Sequence, residues 1–338
     1  MKLMEKQPAI LITGAAGFIG SCLIQYLNEQ GIENLILVDK FRNAEKEKNW
    51  KNKKYKYLVD RELLLEWIDE NKPKIEFVIH LGARTDITET DYNIYKELNV
   101  EYSEDIWNYC TAYEIPLIYA SSAATYGNGE LGYDDDDKML GDLKPVSPYG
   151  TSKNEFDKWA VRQLNAPPFW AGLKFFNVYG PNEYHKKQRA SMIYCTCRQI
   201  ESNGTAKLIN SQDKDIDEGE QSLDFIYVKD VVKVIWWIYS TMKNNEWVTK
   251  NNGIYNVGTG KARSYSDMIK AIFAALNKEP EITYNDSPAP ADRVNNDQHF
   301  TKASMIKLKH AGYDEPFTSL EEGVNDYVKN YLSKKEYY

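Results

Sequence analysis

The chain has no basic excess, no cysteines at metal or redox spacing, and no apolar run long enough to cross a bilayer. Its 338 residues include 42 lysines and arginines against 50 acidic residues, a net charge of -8, with the basic residues widely spread. That excludes nucleic acid as the main partner, because such proteins concentrate positive charge on one face. The four cysteines, Cys22, Cys110, Cys195 and Cys197, form no CxxC pair, and the last two sit too close for a zinc ribbon. Free thiols in a reducing cytoplasm, and no metal site, are expected. A spanning helix needs about 20 apolar residues, so no membrane partner is expected. Residues 1–8 are polar and do not read as a signal peptide. Charged residues at 27% and hydrophobic residues at 42% suit a soluble globular protein of one large domain or two unequal ones.

Residues 9–13 are a short apolar run that stops at glycine, the pattern of a buried parallel strand. Residues 18–30 have helical apolar spacing (Ile19, Cys22, Leu23, Tyr26, Leu27) and end at Gly31. Residues 34–39 read as a second strand. Further strand-like runs at 77–80, 116–120 and 172–176 alternate with helical patterns at 63–71, 93–113 and 148–164. This alternation predicts an α/β fold, a doubly wound parallel sheet of Rossmann type. Beyond Gly180 the elements shorten: helices at 191–201, 264–276 and 320–332, strands at 207–209, 224–228, 254–257 and 281–284. The expected organisation is a dinucleotide-binding domain over 1–180, to which part of 210–260 returns. Residues 181–338 then form mainly a smaller α/β substrate-binding lobe. Two charge runs read as solvated loops: six lysines between 46 and 56, and Asp134-Asp135-Asp136-Asp137-Lys138 over the cleft as a mobile loop.

Gly14, Gly17 and Gly20 form GxxGxxG directly after a strand and at the start of a helix. A tight turn that approaches a pyrophosphate has no room for side chains. The N–H groups of Phe18, Ile19 and Gly20 then open the helix toward the phosphates. Asp39 ends the second strand, where a carboxylate can hold the adenosine ribose and favours NAD. Lys40 and Arg42 follow and can hold a 2′-phosphate, which favours NADP. Leu81 and Ala83, after the strand at 77–80, are expected along the middle of the cofactor. His80 reads better as a satisfied core histidine than as a ligand.

Tyr149 and Lys153 lie four residues apart on a predicted helix and so share a face. A free tyrosine, with a pKa of about 10, is a poor base. A neighbouring ammonium and a positive nicotinamide ring both favour the phenolate. Upstream, 119–127 reads YASSAATYG, a strand end followed by hydroxyls at the carboxyl edge of the sheet. Ser122 can bond the reacting oxygen, with Ser121 and Thr125 as rivals. A second run, FNVYGPNEYHK over 176–186, offers Asn177 to substrate and Lys186 as another proton-transfer group.

These runs, with DFIYVKD at 224–230, IYNVGTG at 254–260 and AGYDEPF at 311–317, resemble the extended short-chain dehydrogenase/reductase family of nucleotide-sugar enzymes. The resemblance covers nearly the whole chain. It implies Tyr149 as a catalytic acid/base, Lys153 as its partner, Ser122 as the active-site serine and Lys186 as a second acid/base on the opposite substrate face. It also implies a bound NADP, or NAD, with Asn99 and Lys153 among the contacts. Substrate would lie against Ser122, Asn177, His185 and Arg189. The implied activity is inversion of C6 of an ADP-linked heptose by transient oxidation, a step of lipopolysaccharide core synthesis, in a cytoplasmic homo-oligomer. Other epimerisations, such as at C4, and a non-catalytic dinucleotide-binding role are the alternatives. The family usually has arginine at the position of Leu223 and Arg-Tyr-Gln near Gln298; here Asn296 and Asp297 precede Gln298. Arg293, Lys261 and Arg263 are the cations available to meet the nucleotide phosphates instead.

Overall fold

Five consecutive buried residues, Ala9–Thr13, form the central strand β1, and Gly14 ends it. In the computed structural model, which describes residues 7–86, 89–209, 217–285 and 299–338, the chain then alternates strand and helix. The elements are α1 (Phe18–Glu29), β2 (Leu35–Asp39), β3 (Tyr57–Asp60), α2 (Leu64–Asn71), β4 (Ile75–His80), α3 (Tyr102–Ala112), β5 (Leu117–Ser122), α4 (Pro148–Ala160) and β6 (Trp170–Phe175). Next come β7 (Asn177–Tyr179), α5 (Met192–Asn203), β8 (Ala206–Ile209), β9 (Ser222–Leu223), β10 (Phe225–Tyr227), α6 (Val228–Lys243) and β11 (Gly253–Val257). The last are β12 (Arg263–Ser264), α7 (Tyr265–Ala275), β13 (Ile282–Asn285) and α8 (Leu320–Asp326).

Seven strands pair in parallel in the order β11-β6-β5-β4-β1-β2-β3. The chain leaves β1 for β2 and β3 on one side, then returns to β4 on the other. The crevice between the ends of β1 and β4 is therefore the topological switch point, where such sheets take ligands. The doubly wound expectation is borne out. The remaining strands form three two-stranded pairs: β7 with β10 and β8 with β13 in parallel, β9 with β12 antiparallel.

Three expectations change. Strand β3 went unread, since Tyr57 and Leu58 are each 39% exposed and it pairs only with β2, at the sheet edge. An edge strand carries little of the buried, near-continuous apolar signature. The lysine run before it is not a plain solvated loop. Asn49 within it is 1% exposed, and Lys46 reaches the Asp39 carboxylate at 3.4 Å. The aspartate run is anchored. Asp135 is buried and accepts the Asn256 N–H at 2.7 Å, while Asp137 accepts the Ile254 N–H at 3.1 Å and Lys307 Nζ at 3.0 Å. Strand β11 is the other sheet edge, and its outward N–H groups need acceptors.

Candidate active site

The turn after β1 is shaped by close approach. Gly14 has φ +67°, and a Cβ there would lie 2.7 Å from the Gly82 nitrogen. Gly82, after β4, donates its N–H to Thr13 Oγ1 at 3.0 Å. The two strand ends on either side of the switch point thus touch through backbone. No side chain caps the start of α1, so its first N–H groups face the cleft undistracted. Asp39 Oδ2 accepts the Ala16 N–H at 3.0 Å and Oδ1 the Lys40 N–H at 2.7 Å, which locks the carboxylate against this turn. The cradle that a Cβ would fill, the uncapped helix start and the acidic strand end fit a dinucleotide.

A cleft of about 870 Å³ opens from this turn. It is lined by Gly14, Gly17, Phe18, Ile19, Gly20, Asp39, Lys40, Leu81 and Ala83 on the turn side. Ser122, Tyr149, Lys153, His185, Lys186 and Arg189 line the far side. Two expected residues stand apart. Asn99 is fully buried behind the lining and bonds the Arg84 N–H at 2.7 Å and Ser152 Oγ at 2.9 Å. Asn177 donates to the Asp224 carbonyl at 3.3 Å and to Thr301 Oγ1 at 3.2 Å and does not line the cleft. Cations that spacing did not reveal, Lys46, Arg61 and Arg84, do line it. Lys40 itself pairs with Glu62.

Tyr149 stands where it does because α4 begins well. Ser147 caps it by accepting the Gly150 N–H at 3.0 Å, and Pro148 fits the first turn. Gly150 lets the helix start press on the turn at 123–126, since a Cβ there would be 2.6 Å from the Ala124 carbonyl. That contact brings Tyr149 to Ser122. Burial pushes the Tyr149 phenol up to about 12, and a hydrogen bond from Ser122 works the other way. Lys153, one turn on and 3% exposed, donates to the Ala120 carbonyl at 2.9 Å. Burial lowers it to about 8, opposed by the Asp157 charge. Asp157 lies another turn along, fully buried, and pairs with Lys174 Nζ at 2.9 Å while accepting from Ser121 Oγ at 2.6 Å. The strand that ends at Ser122 and the helix that carries Tyr149 are thereby tied together behind the cleft.

Lys186 reaches the cleft from a different element, an irregular turn over Tyr184–Arg189. Its Nζ lies 5.1 Å from the centre of the Phe18 ring, at the start of α1. Burial lowers its pKa, with the Glu183 carboxylate opposing and Arg189 and Lys46 adding to the fall. Arg189 pairs with Asp86. His80 is a core histidine: Nδ1 lies 2.6 Å from Thr13 Oγ1 and Nε2 3.0 Å from Ser103 Oγ. Leu223 is buried in β9, and Arg263 is held by Asp267 at 2.9 Å and Glu321 at 2.6 Å, so neither meets the cleft. Arg293 and 296–298 lie outside the described residues.

A glycine turn at the switch point of a doubly wound sheet, faced by a serine, a tyrosine and a lysine, defines a nicotinamide-dinucleotide enzyme of the short-chain dehydrogenase/reductase class. Residues 10–258 match the NAD dependent epimerase/dehydratase family, and the chain belongs to it. The chain is 44% identical over 337 residues to the ADP-L-glycero-D-manno-heptose-6-epimerase of Fusobacterium nucleatum, covering 97% of this chain and 99% of that one. It is 35% identical to the Brachyspira hyodysenteriae protein of the same name, over 95% and 96% of the two chains. The crystal structure of Helicobacter pylori ADP-L-glycero-D-manno-heptose-6-epimerase superposes with a TM-score of 0.78 at 27% identity, covering 96% of each chain.

Proposed function

We infer that the chain inverts C6 of the heptose in ADP-D-glycero-D-manno-heptose, giving the L-glycero form for lipopolysaccharide core synthesis. The observation that carries this is one cleft lined by two proton-transfer groups from separate elements, Tyr149 on α4 and Lys186 on the 184–189 turn. Inverting a carbinol means removing a proton and a hydride from one face and restoring them from the other. The bound dinucleotide supplies the hydride acceptor and donor. Tyr149, with its phenol near 12, holds a proton toward the oxygen of one substrate pose. Lys153 carries its ammonium one helical turn along α4 from that tyrosine, and Ser122 orients the reacting oxygen. Lys186, whose pKa burial lowers, gives up its proton more readily than a free lysine and serves the opposite pose.

Asn99 acts behind the cofactor wall through the Arg84 backbone, and His185 and Arg189 border the sugar. Arg42 and Lys46 line the cleft beside Asp39, and Lys46 offsets its charge; this supports NADP over NAD. The same reading takes the protein as a cytoplasmic homo-oligomer that binds the nucleotide sugar. Among the described residues no helix is long and apolar enough to cross a membrane, and exposed Leu63 and Leu65 beside edge strand β3 offer an apolar self-contact. The reading assigns the dinucleotide to 1–180 with part of 210–260, and the substrate mainly to 181–338.

The test is to incubate purified protein with ADP-D-glycero-D-manno-heptose, without added cofactor, and follow the C6 configuration by NMR. Conversion to the L-glycero epimer is expected. No conversion after NADP and NAD are both supplied would overturn the reading and turn the search to other nucleotide sugars.

A further inference from the structure

Lys186 sits on a segment with no regular ladder of its own. Tyr184–Arg189 is two short turns broken at Lys187, which has φ +54° and ψ -120°. Fixing a backbone that no ladder supports costs conformational entropy. Contacts beyond its own backbone hold Lys186 in place: Glu183 brackets the turn by accepting the Gly180 and Ser191 N–H groups, Lys187 and Arg189 pair with Glu45 and Asp86, and two further groups reach it from distant sequence.

The inner contact is Asn49, from the lysine-rich run. Its amide nitrogen lies 3.0 Å from the Ala16 carbonyl, 3.1 Å from the Asn182 carbonyl and 3.3 Å from His185 Nδ1. Ala16 belongs to the glycine turn, whereas Asn182 and His185 belong to the Lys186 segment. Two amide hydrogens are shared among three acceptors, so one side chain joins both parts of the site. His185 can accept only while neutral, and burial brings its pKa down to about 4, with Lys46 and Lys186 adding to the fall.

The outer contact is the 336–338 segment. Asn182 is fully buried in the left-handed region at φ +73°, a conformation asparagine tolerates. Its Nδ2 donates to the Tyr338 main-chain oxygen at 2.8 Å, and its Oδ1 accepts the Tyr338 N–H at 2.9 Å. Lys53 Nζ donates to the same oxygen. Tyr184 donates its hydroxyl to the Glu336 carbonyl at 2.8 Å and meets the Tyr337 ring edge-on at 4.8 Å.

We propose that Asn49 and the 336–338 segment are positioning residues that clamp Asn182–Lys186 from two sides and couple the seat of Lys186 to the dinucleotide turn. The inference rests on the reading of Lys186 as the second acid/base. Asn49→Leu removes the hydrogen bonds at similar volume, and Tyr337→Ala loosens the outer side should the first variant fail to fold.

The experiment is amide hydrogen exchange of 182–189 by mass spectrometry on the purified full chain, loaded with NADP and after the bound dinucleotide has been stripped, beside turnover of ADP-D-glycero-D-manno-heptose by the loaded protein. Exchange over 182–189 should rise on the order of tenfold in each variant, while that of β1 and α4 holds. The kcat should fall on the order of tenfold with little change in KM, the mark of misplaced chemistry rather than lost binding. NADP should protect 182–189 in the parent and fail to do so in Asn49→Leu. Unchanged exchange in both variants, raised exchange with undiminished kcat, or equal NADP protection in parent and Asn49→Leu would each overturn the clamp. A parent protein without epimerase activity would instead defeat the functional reading, and the exchange arms would still decide the clamp.

Discussion

The two groups proposed for proton transfer are held in different ways. Tyr149 rides on a 13-residue helix whose start is set by its own neighbours, Ser147, Pro148 and Gly150. Lys186 rides on a broken turn that Glu183 brackets locally and that side chains distant in sequence, Asn49 among them, hold from outside. A group placed by local periodicity can be read from spacing alone, and one placed by long-range contacts cannot. The first should tolerate changes around it, and the second should be sensitive to residues that never touch substrate.

The largest effect should come from removing the groups themselves. Tyr149→Phe and Lys186→Met are each expected to lower kcat by about 10²–10⁴-fold, the usual contribution of a positioned acid or base. Steady-state turnover of the heptose substrate measures it, with unfolding midpoints close to the parent's. If Lys186→Met turned over like the parent, Tyr149 would serve both faces and the comparison would collapse to one group.

That contrast also sets how much was legible. The glycine turn, Asp39, the YxxxK pair and the doubly wound sheet all rest on spacings within a single β-α unit, and each was visible. Asn49 was not, because its partners lie 33, 133 and 136 residues away and it sits in a run whose composition reads as solvent-facing. The aspartate run misled for the same reason: its charge suggests water, and only the pairing of β11 at the sheet edge reveals that Asp135 is needed inside. Strand β3 was hidden by its exposed, one-sided pairing. Asn177 drew attention by following a strand on the right sheet edge, yet its amide is occupied by Asp224 and Thr301. Position on the sheet was readable; the direction of a side chain in a loop was not.

A smaller but still large effect probes what stands behind Tyr149. Asp157 and Lys174 form an ion pair with neither side chain exposed. Asp157→Asn leaves the Lys174 ammonium buried without its anion, which should cost about 3–5 kcal/mol of stability by urea unfolding. The same change removes a charge that raises the Lys153 pKa, so the limb of the pH–rate profile that reports Lys153 should move to lower pH. A loss of stability with an unmoved limb would make the pair a purely structural brace for α4.

The smallest effect concerns the wall between the two regions. His80 ends β4 beside the glycine turn, with both ring nitrogens within hydrogen-bond distance of hydroxyls. Burial, with the Lys153 charge adding to it, lowers its pKa from 6.5 to about 3. The unfolded chain therefore takes up a proton near pH 6.5 that the folded protein refuses until about pH 3. The stability contributed by neutral His80 is complete above pH 6.5 and is lost as pH falls toward 3. His80→Gln lacks this term, so the stability difference between parent and variant should shrink by about 1.4 kcal/mol per pH unit below pH 6.5. Denaturant unfolding of both proteins across that range measures it. Parallel curves would mean that the imidazole takes up its proton in the fold as readily as in the unfolded chain. A second cation would then stand near Lys153 below pH 6.5, and in that range the helix-borne half of the site would feel the glycine-turn side as well as Asp157.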